Sequence, residues 1–257
     1  MTTAAKKSQP ASPRVEREGD GMRYPERWHH KSIGEQVQCF LSGELSPEFR
    51  RLNASSIDAI VSRDAARGEG TDEMDGWIVH PKPSRLAGSG TGAREWPTVS
   101  RALSAVVRLF ARREYGFVDM TEGNVGPEHY RLSKGTADAF AALEERFPGD
   151  FLVYRGQTGL RRRTTASVAR ASLATGEFGL DALAIGCFLL IHPERLVGLE
   201  ALGVDCIGSE YRRSPAEEFA LSPAWVCFDG SYGVGLGLSN VNHSDHALGC
   251  ASGLVPR

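Results

Sequence analysis

An arginine that follows a short apolar run is the first feature of this sequence that suggests chemistry. Phe151–Tyr154 are strand-forming residues, and Arg155 comes directly after them, followed by Gly156, where we expect the strand to end. A guanidinium at the mouth of a buried strand is costly unless an anion meets it, because burial removes its hydration. The pattern therefore predicts that Arg155 pairs either with a carboxylate of the protein, such as Asp150, or with the anionic group of a ligand.

Two adjacent acidic residues, Glu217 and Glu218, are the second such feature. They precede a Phe-Ala-Leu-Ser-Pro stretch, so we expect them to open a β-strand. Neighbouring residues of a strand point to opposite faces. One carboxylate is therefore expected to be solvated, and the other is either structural or catalytic.

Together these two motifs resemble those of the mono-ADP-ribosyltransferases of the Arg-Ser-Glu class, a family that includes bacterial type III effectors of plant pathogens. Tyr154-Arg155-Gly156 resembles the first motif of that family, and residues 218–223 resemble its acidic motif. The resemblance covers roughly residues 97 to 240. It implies an effector that a bacterial type III system secretes into a host cell, where it transfers ADP-ribose from NAD to a host protein.

The resemblance also implies roles for individual residues. Arg155 is expected to grip NAD with its forked donors, with Tyr154 and Gly156 beside it, and Gly156 leaving room for the ligand. Glu218, with Glu217 next to it, is expected to be the catalytic carboxylate that stabilises the oxocarbenium-like transition state. On this interpretation Arg155 and Glu218 face each other across one cleft.

Two departures from the family pattern lead to an alternative interpretation. The family has a middle motif of hydroxyl-bearing residues on a strand after a phenylalanine, and the best-placed strand predicted here, Cys187–His192, offers Leu190, Ile191 and His192 instead. Ala216 stands where arginine-specific members carry an acidic or amide side chain. The alternative is a catalytically degenerate member of the fold that acts by binding a host protein or another ligand. A third, weaker alternative is the FRG domain, which Tyr154–Gln157 also resembles.

The pattern of elements predicts an α+β fold with a helical first part and a strand-rich second part. We expect a flexible arm over 1–24, a single domain over 25–250 that is helical over 25–148 and strand-rich over 149–250, and a tag remnant over 251–257. The resemblance implies that the strands form a mostly antiparallel split β-sandwich of the ADP-ribosyltransferase type. Helices are predicted over 46–63, 97–117, 136–147 and 193–202, an irregular segment over 67–97, and strands over 151–155, 185–192, 204–209, 217–222, 224–229 and 233–239.

Net charge, apolar runs and the placing of cysteine and histidine limit the classes of partner that we expect. A net charge of −2 gives no reason to expect nucleic acid, and no apolar run is long enough to span a bilayer. The five cysteines have no CxxC spacing, and the His243 and His246 pair has no third ligand nearby, so we expect no metal site. We expect a monomer whose partners are NAD and a host protein.

Overall fold

The computed structural model describes residues 30–45, 47–54, 57, 76–86, 98–113, 117–197, 201–228 and 233–256, without the side chains at 47, 48 and 160. The predicted flexible arm over 1–24 lies outside these residues. Within them, ten strands form one sheet, and helices pack against it. The described part of the chain contains no helix that is both long enough and apolar enough to cross a membrane.

The helices and strands have the following bounds. The α-helices are α1 (Ile33–Leu41), α2 (Pro83–Leu86), α3 (Thr98–Arg113), α4 (Lys134–Arg146), α5 (Ala166–Ala171) and α6 (Ala182–Ile191), and Pro47–Arg51 and Pro193–Arg195 are 3-10 helices. The strands are β1 (Gly76–Pro81), β2 (Val118–Asp119), β3 (Tyr130–Leu132), β4 (Phe151–Arg162), β5 (Glu177–Gly179), β6 (Gly203–Asp205), β7 (Ser209–Tyr211), β8 (Leu221–Cys227), β9 (Val234–Asn240) and β10 (Leu248–Leu254).

The sheet is mostly antiparallel, as predicted. Its strand order is β1-β4-β10-β6-β8-β7-β3, with β5 paired to β10, and β9 paired to β8 and β2. Among the described strands only β10 with β6 and β2 with β9 run parallel. The α+β class is confirmed, although β1, β2 and β3 precede residue 149 and α5 and α6 follow it, so the expected division into a helical and a strand-rich part is only approximate.

Helix α6 lies inside the core and packs between two distant strands of the sheet, β8 and β1. At its first turn, the Trp225 indole of β8 donates a hydrogen bond to the Ala182 carbonyl at 2.9 Å. At its last turn, the ring of Phe188 lies 5.4 Å from that of His30. His30 in turn lies against Gly76, where an added Cβ would be 2.8 Å from the ring. Helix α6 therefore contacts β8 near its start and, through His30, the beginning of β1 near its end.

The strand predicted over 185–192 is wrong, because these residues belong mainly to α6. Every residue of α6 is buried, and a short apolar run of this kind has no periodicity that distinguishes a buried strand from a buried helix. The side chain of Asp181 accepts a hydrogen bond from the Ala184 N–H at 2.9 Å and so caps the helix. Asp181 is the helix-start signal that the sequence offered and that our prediction did not use.

Some of the other predicted helices and strands are confirmed by the structure, and others are wrong. The helices over 97–117 and 136–147 are confirmed as α3 and α4, and the strands over 151–155, 224–229 and 233–239 as parts of β4, β8 and β9. The segment over 204–209 contributes to two strands, β6 and β7. Among the described residues of the predicted helix over 193–202, only Pro193–Arg195 are helical, as a 3-10 turn, and the described part of 46–63 contains the 3-10 turn Pro47–Arg51. The segment over 67–97, expected to be irregular, contains β1.

Part of the segment expected to be a tag remnant, residues 251–254, is ordered in the sheet. These residues form the second half of β10, a strand inside the sheet that pairs with β4, β5 and β6. Ala251 and Ser252 are completely buried. This segment therefore contributes to the sheet, and its interpretation as a tag remnant stays a prediction.

A buried carboxyl beside the sheet makes stability depend on pH. Burial raises the pKa of Asp205 to about 6 from 3.8, although Ser222 donates a hydrogen bond to it at 2.6 Å and the charge of Arg170 is nearby. Because the pKa is higher in the folded state, the folded protein binds the proton more tightly. This contribution to stability is complete below pH 4 and is lost as the pH rises through about 6.

Asp205→Asn is therefore expected to flatten the pH profile of stability. The difference between 3.8 and about 6 corresponds to about 3 kcal/mol at most. Asparagine keeps the oxygen that accepts from Ser222 and does not ionise. Denaturant unfolding at pH 4.5 and pH 7 should show that the wild type loses more free energy of unfolding over this interval than the variant does. Equal losses in both proteins would contradict the prediction.

Candidate functional site

Arg155 lies within β4, between β1 and β10, where it pairs with Trp77 and Leu254. It is half-buried, its guanidinium carbon lies 5.8 Å from the centre of the Trp77 ring, and its Nε is buried without a hydrogen-bond acceptor in the part of the chain that the structure describes. The protein carboxylate predicted for Arg155 was Asp150 or a glutamate across the sheet, and Asp150 is engaged elsewhere. One of its oxygens binds the Arg85 Nε at 2.8 Å, and the other accepts from the Asn53 N–H at 2.7 Å. The Asp150 alternative is therefore wrong.

The side chain of Arg155 belongs to a polar face of the sheet. Side chains alternate along a strand and directly paired residues share a face, and the extra residues of a bulge opposite Cys250 and Ala251 leave this alternation unchanged. We call polar face the side chains of Trp77 on β1, Arg155, Gln157 and Arg161 on β4, Ser252 on β10, and Glu177 on β5. Leu254 and Cys250 of β10 lie on the same side of the sheet.

A hydrogen-bond network fills the centre of the polar face. The Gln157 amide donates to the Ser252 hydroxyl at 3.0 Å, and this hydroxyl donates to one Glu177 oxygen at 2.5 Å. Arg161 contacts both Glu177 oxygens, at 2.7 and 2.8 Å, and the Ala174 N–H donates to the second oxygen at 3.0 Å. Burial acts to raise the pKa of Glu177, but these bonds outweigh it and hold the pKa below its ordinary value. Glu177 is therefore ionised, and its two oxygens already accept three hydrogen bonds and make a further ion-pair contact with Arg161.

Tyr154 and Gly156 lie on the opposite face of β4, inside the core. Tyr154 is completely buried and packs edge-on against the rings of Phe178 and His80, at 5.3 and 5.6 Å. At Gly156, an added Cβ would lie 2.4 Å from the Ile78 side chain, so the missing side chain makes room for the core. These positions do not favour the predicted NAD contacts of Tyr154 and Gly156, which stay a prediction. The predicted strand end at Gly156 is wrong, since β4 continues to Arg162.

Glu217 and Glu218 are exposed and lie in the loop between β7 and β8, not on a strand. The chain turns there, with the Glu217 N–H bound to the Ser214 carbonyl at 3.0 Å. The ring of Phe219 is held between the guanidinium groups of Arg131 and Arg212, at 4.0 and 4.5 Å. Because Arg131 belongs to β3, this cation–π contact holds the loop at the β3 edge of the sheet.

The structure does not bring Glu218 to Arg155. In the strand order, β10 and β6 lie between β4 and β8, and three strand spacings amount to about 14 Å. The Phe219 contact places the loop still further along, at the last strand of that order. The strand order therefore does not favour the prediction that Arg155 and Glu218 face each other across one cleft, which stays a prediction.

The three residues aligned with the middle motif lie in the core, and none of them carries a hydroxyl group. Leu190 and Ile191 are buried on α6, and the ring of His192 stacks on Phe188 at 4.6 Å. The Nδ1 of His192 lies 3.0 Å from a Glu194 oxygen, and burial lowers the pKa of His192 in spite of that contact. These side chains form the end of the core helix.

His30 is the titratable group whose charge state responds to Arg155. Burial lowers the pKa of His30 to about 3, and the nearby charges of His192 and Arg155 lower it further. His30 is therefore neutral at physiological pH. The adjacent Lys31 donates to the Ile191 carbonyl at 2.7 Å and forms an ion pair with Glu194 at 3.4 Å, so this neighbourhood adds no net charge to the site.

The sequence reasoning missed Gln157, Glu177 and Ser252. The period-two alternation of Arg155 and Gln157 was a usable signal for a polar face, whereas Ser252 had been excluded with the assumed tag.

The comparisons with known proteins name no relative: no protein-family model, no curated protein and no solved structure matches the chain. In the residues that the structure describes, no group of three or more His, Cys, Asp or Glu side chains is arranged to hold a metal ion.

Proposed function

We propose that this protein is a secreted effector with an ADP-ribosyltransferase-like domain that acts by binding a host protein and does not transfer ADP-ribose. The observation that carries the proposal is the separation of Arg155 from Glu218, by about three strand spacings of the sheet. ADP-ribose transfer needs a carboxylate beside the ribose while a cation holds the phosphates of the same NAD molecule. Side chains three strand spacings apart along the sheet do not meet this requirement.

The other carboxylate near Arg155 does not replace Glu218. Glu177 shares the polar face, but its two oxygens are occupied by Arg161, Ser252 and the Ala174 N–H. A ribose hydroxyl would have to displace one of these charge-assisted bonds, each of which is stronger than a neutral hydrogen bond. Glu177 therefore supports the sheet and is not a catalytic acid.

The assignment to the split β-sandwich of the ADP-ribosyltransferases is part of this proposal. It is supported by the mostly antiparallel sheet, by helix α4 leading into β4, and by the position of Arg155 on an inner strand. Secretion by a type III system, a host-protein partner and a monomeric state follow from the same resemblance. Sedimentation of the purified chain tests the last of these.

A second candidate function is an active NAD-dependent transferase. Arg155 favours it, because its Nε has no acceptor among the described residues and a phosphate would supply one. In such an enzyme the loop that carries Glu218 would have to leave its contact with Arg131 and approach β4.

Labelling with NAD distinguishes the two functions. Host-cell extract incubated with labelled NAD and the wild-type chain is expected to acquire no label beyond a control without the chain. Glu218→Gln and Arg155→Gln should give the same background. Labelled host protein that depends on both Glu218 and Arg155 would contradict the proposal and establish a transferase.

A further inference from the structure

We infer that Arg155 is the docking point for a single carboxylate side chain, an Asp or Glu in a segment of the host partner. This inference rests on the proposed binding function and specifies the chemistry of its partner. Arg155 is a half-buried cation, and the other members of the polar face together carry no net charge. The ligand that matches such a face is a monoanion.

The charges of the polar face determine the charge of the ligand. Of its charged members, Arg161 and Glu177 form an ion pair through two contacts and cancel each other. The remaining members, apart from Arg155, are the neutral side chains Trp77, Gln157 and Ser252. Arg155 is thus left as one positive charge, and its buried Nε has no acceptor among the described residues.

The backbone around Arg155 argues against a phosphate or pyrophosphate group. Phosphate sites combine cations with free backbone N–H groups, at helix N-termini or in glycine-rich loops. Arg155 and Gly156 instead lie where β4 is paired with β1 on one side and with β10 on the other. Backbone donors in such a strand are used by the sheet, so a dianion would find only one side chain to balance it.

Trp77 gives the site its shape. Its ring lies beside the guanidinium, with 5.8 Å between the ring centre and the guanidinium carbon. An aromatic wall limits rotation of the guanidinium and leaves its edge for planar, two-point contact with a carboxylate. One exposed ion pair of this kind contributes little to affinity on its own. The carboxylate therefore has to belong to a protein segment whose other contacts add to the affinity.

Two matched peptides test the inference on the full-length chain. The probes are acetyl-Gly-Ser-Glu-Ser-Gly-amide and the same peptide with Gln in place of Glu, titrated while the NMR signals of the arginine Nε–H groups are followed, with pyrophosphate as a third probe. The Glu peptide is expected to shift the Arg155 signal and to bind at least tenfold more tightly than the Gln peptide. Arg155→Gln should abolish the difference, and Arg155→Lys, which keeps the charge but loses the fork, should reduce it. Arg112→Gln, an exposed arginine on α3, is the matched control and should change nothing.

Three outcomes would overturn the inference: equal binding of both peptides, tighter binding of pyrophosphate, or a Glu preference that persists in Arg155→Gln. None of these depends on whether ADP-ribose is transferred. If the extract acquires no label and the peptides do not discriminate, the binding function stands and the carboxylate site fails. Label that requires Glu218 overturns the binding function whatever the peptides do.

Discussion

Replacing Trp225 with alanine is expected to lower the free energy of unfolding by about 3–5 kcal/mol, as for large aromatic side chains removed from a core. Trp225 is completely buried, and its ring centre lies 4.6 Å from that of Phe110. Its indole N–H also binds the carbonyl of Ala182 at the first turn of α6. The substitution would therefore leave a cavity and a buried carbonyl without its donor at the same point.

Trp225→Phe is the matched control for this effect. Phenylalanine retains much of the packing but loses the hydrogen bond, so the expected loss is smaller, and about 1–3 kcal/mol of it comes from the unsatisfied carbonyl. Urea unfolding followed by circular dichroism measures both variants. A loss below about 1.5 kcal/mol for the alanine variant would show that α6 is not anchored on β8 in this way.

Replacing Gly249 with alanine is expected to cost about 3 kcal/mol or to prevent folding. A Cβ at this position would lie 2.0 Å from the carbonyl oxygen of Gly159, a backbone atom of the neighbouring strand β4. Gly159 itself has a φ of 115°, so the backbone there is in a conformation that glycine favours. Overpacking against a rigid backbone commonly costs 1–3 kcal/mol and sometimes more, and here it would separate β4 from β10 beside the polar face.

Gly135→Ala is a control with the opposite expected sign. Gly135 lies in the first turn of α4, and an added Cβ would have nothing within 4 Å. Alanine in a helix is more stable than glycine by roughly 0.5–1 kcal/mol. Thermal unfolding should therefore show a small gain for Gly135→Ala and a large loss for Gly249→Ala, whereas similar changes in both would contradict the close approach of β4 and β10.

The sequence was sufficient to predict the elements with clear local patterns. Helix α3 has apolar residues at helical spacing, and β4 begins with four consecutive strand formers, so the helix and the start of the strand were predicted correctly. Helix α6 was not, because a fully buried helix loses the amphipathic pattern on which such predictions depend. Strand β10 was missed because its terminal residues were interpreted as a tag, whereas their place in the sheet depends on pairing with distant strands.

The candidate site was predicted only in part, for a related physical reason. The need of Arg155 for an anion follows from its place on a strand and is a local property. Its distance from Glu218 depends on the order of strands in the sheet, which two short motifs do not determine. The turn at Ser214 and the Phe219 contact with Arg131 then fix Glu218 at the far edge.

The most direct test of the central claim, that Arg155 and Glu218 do not form one NAD site, is a calorimetric titration of NAD. The account predicts no saturable heat with NAD up to about 1 mM, a limit that corresponds to a binding free energy weaker than about 4 kcal/mol. Arg155→Gln and Glu218→Gln should behave as the wild type does. A micromolar Kd that weakens in both variants would place the two side chains on one ligand and contradict the account.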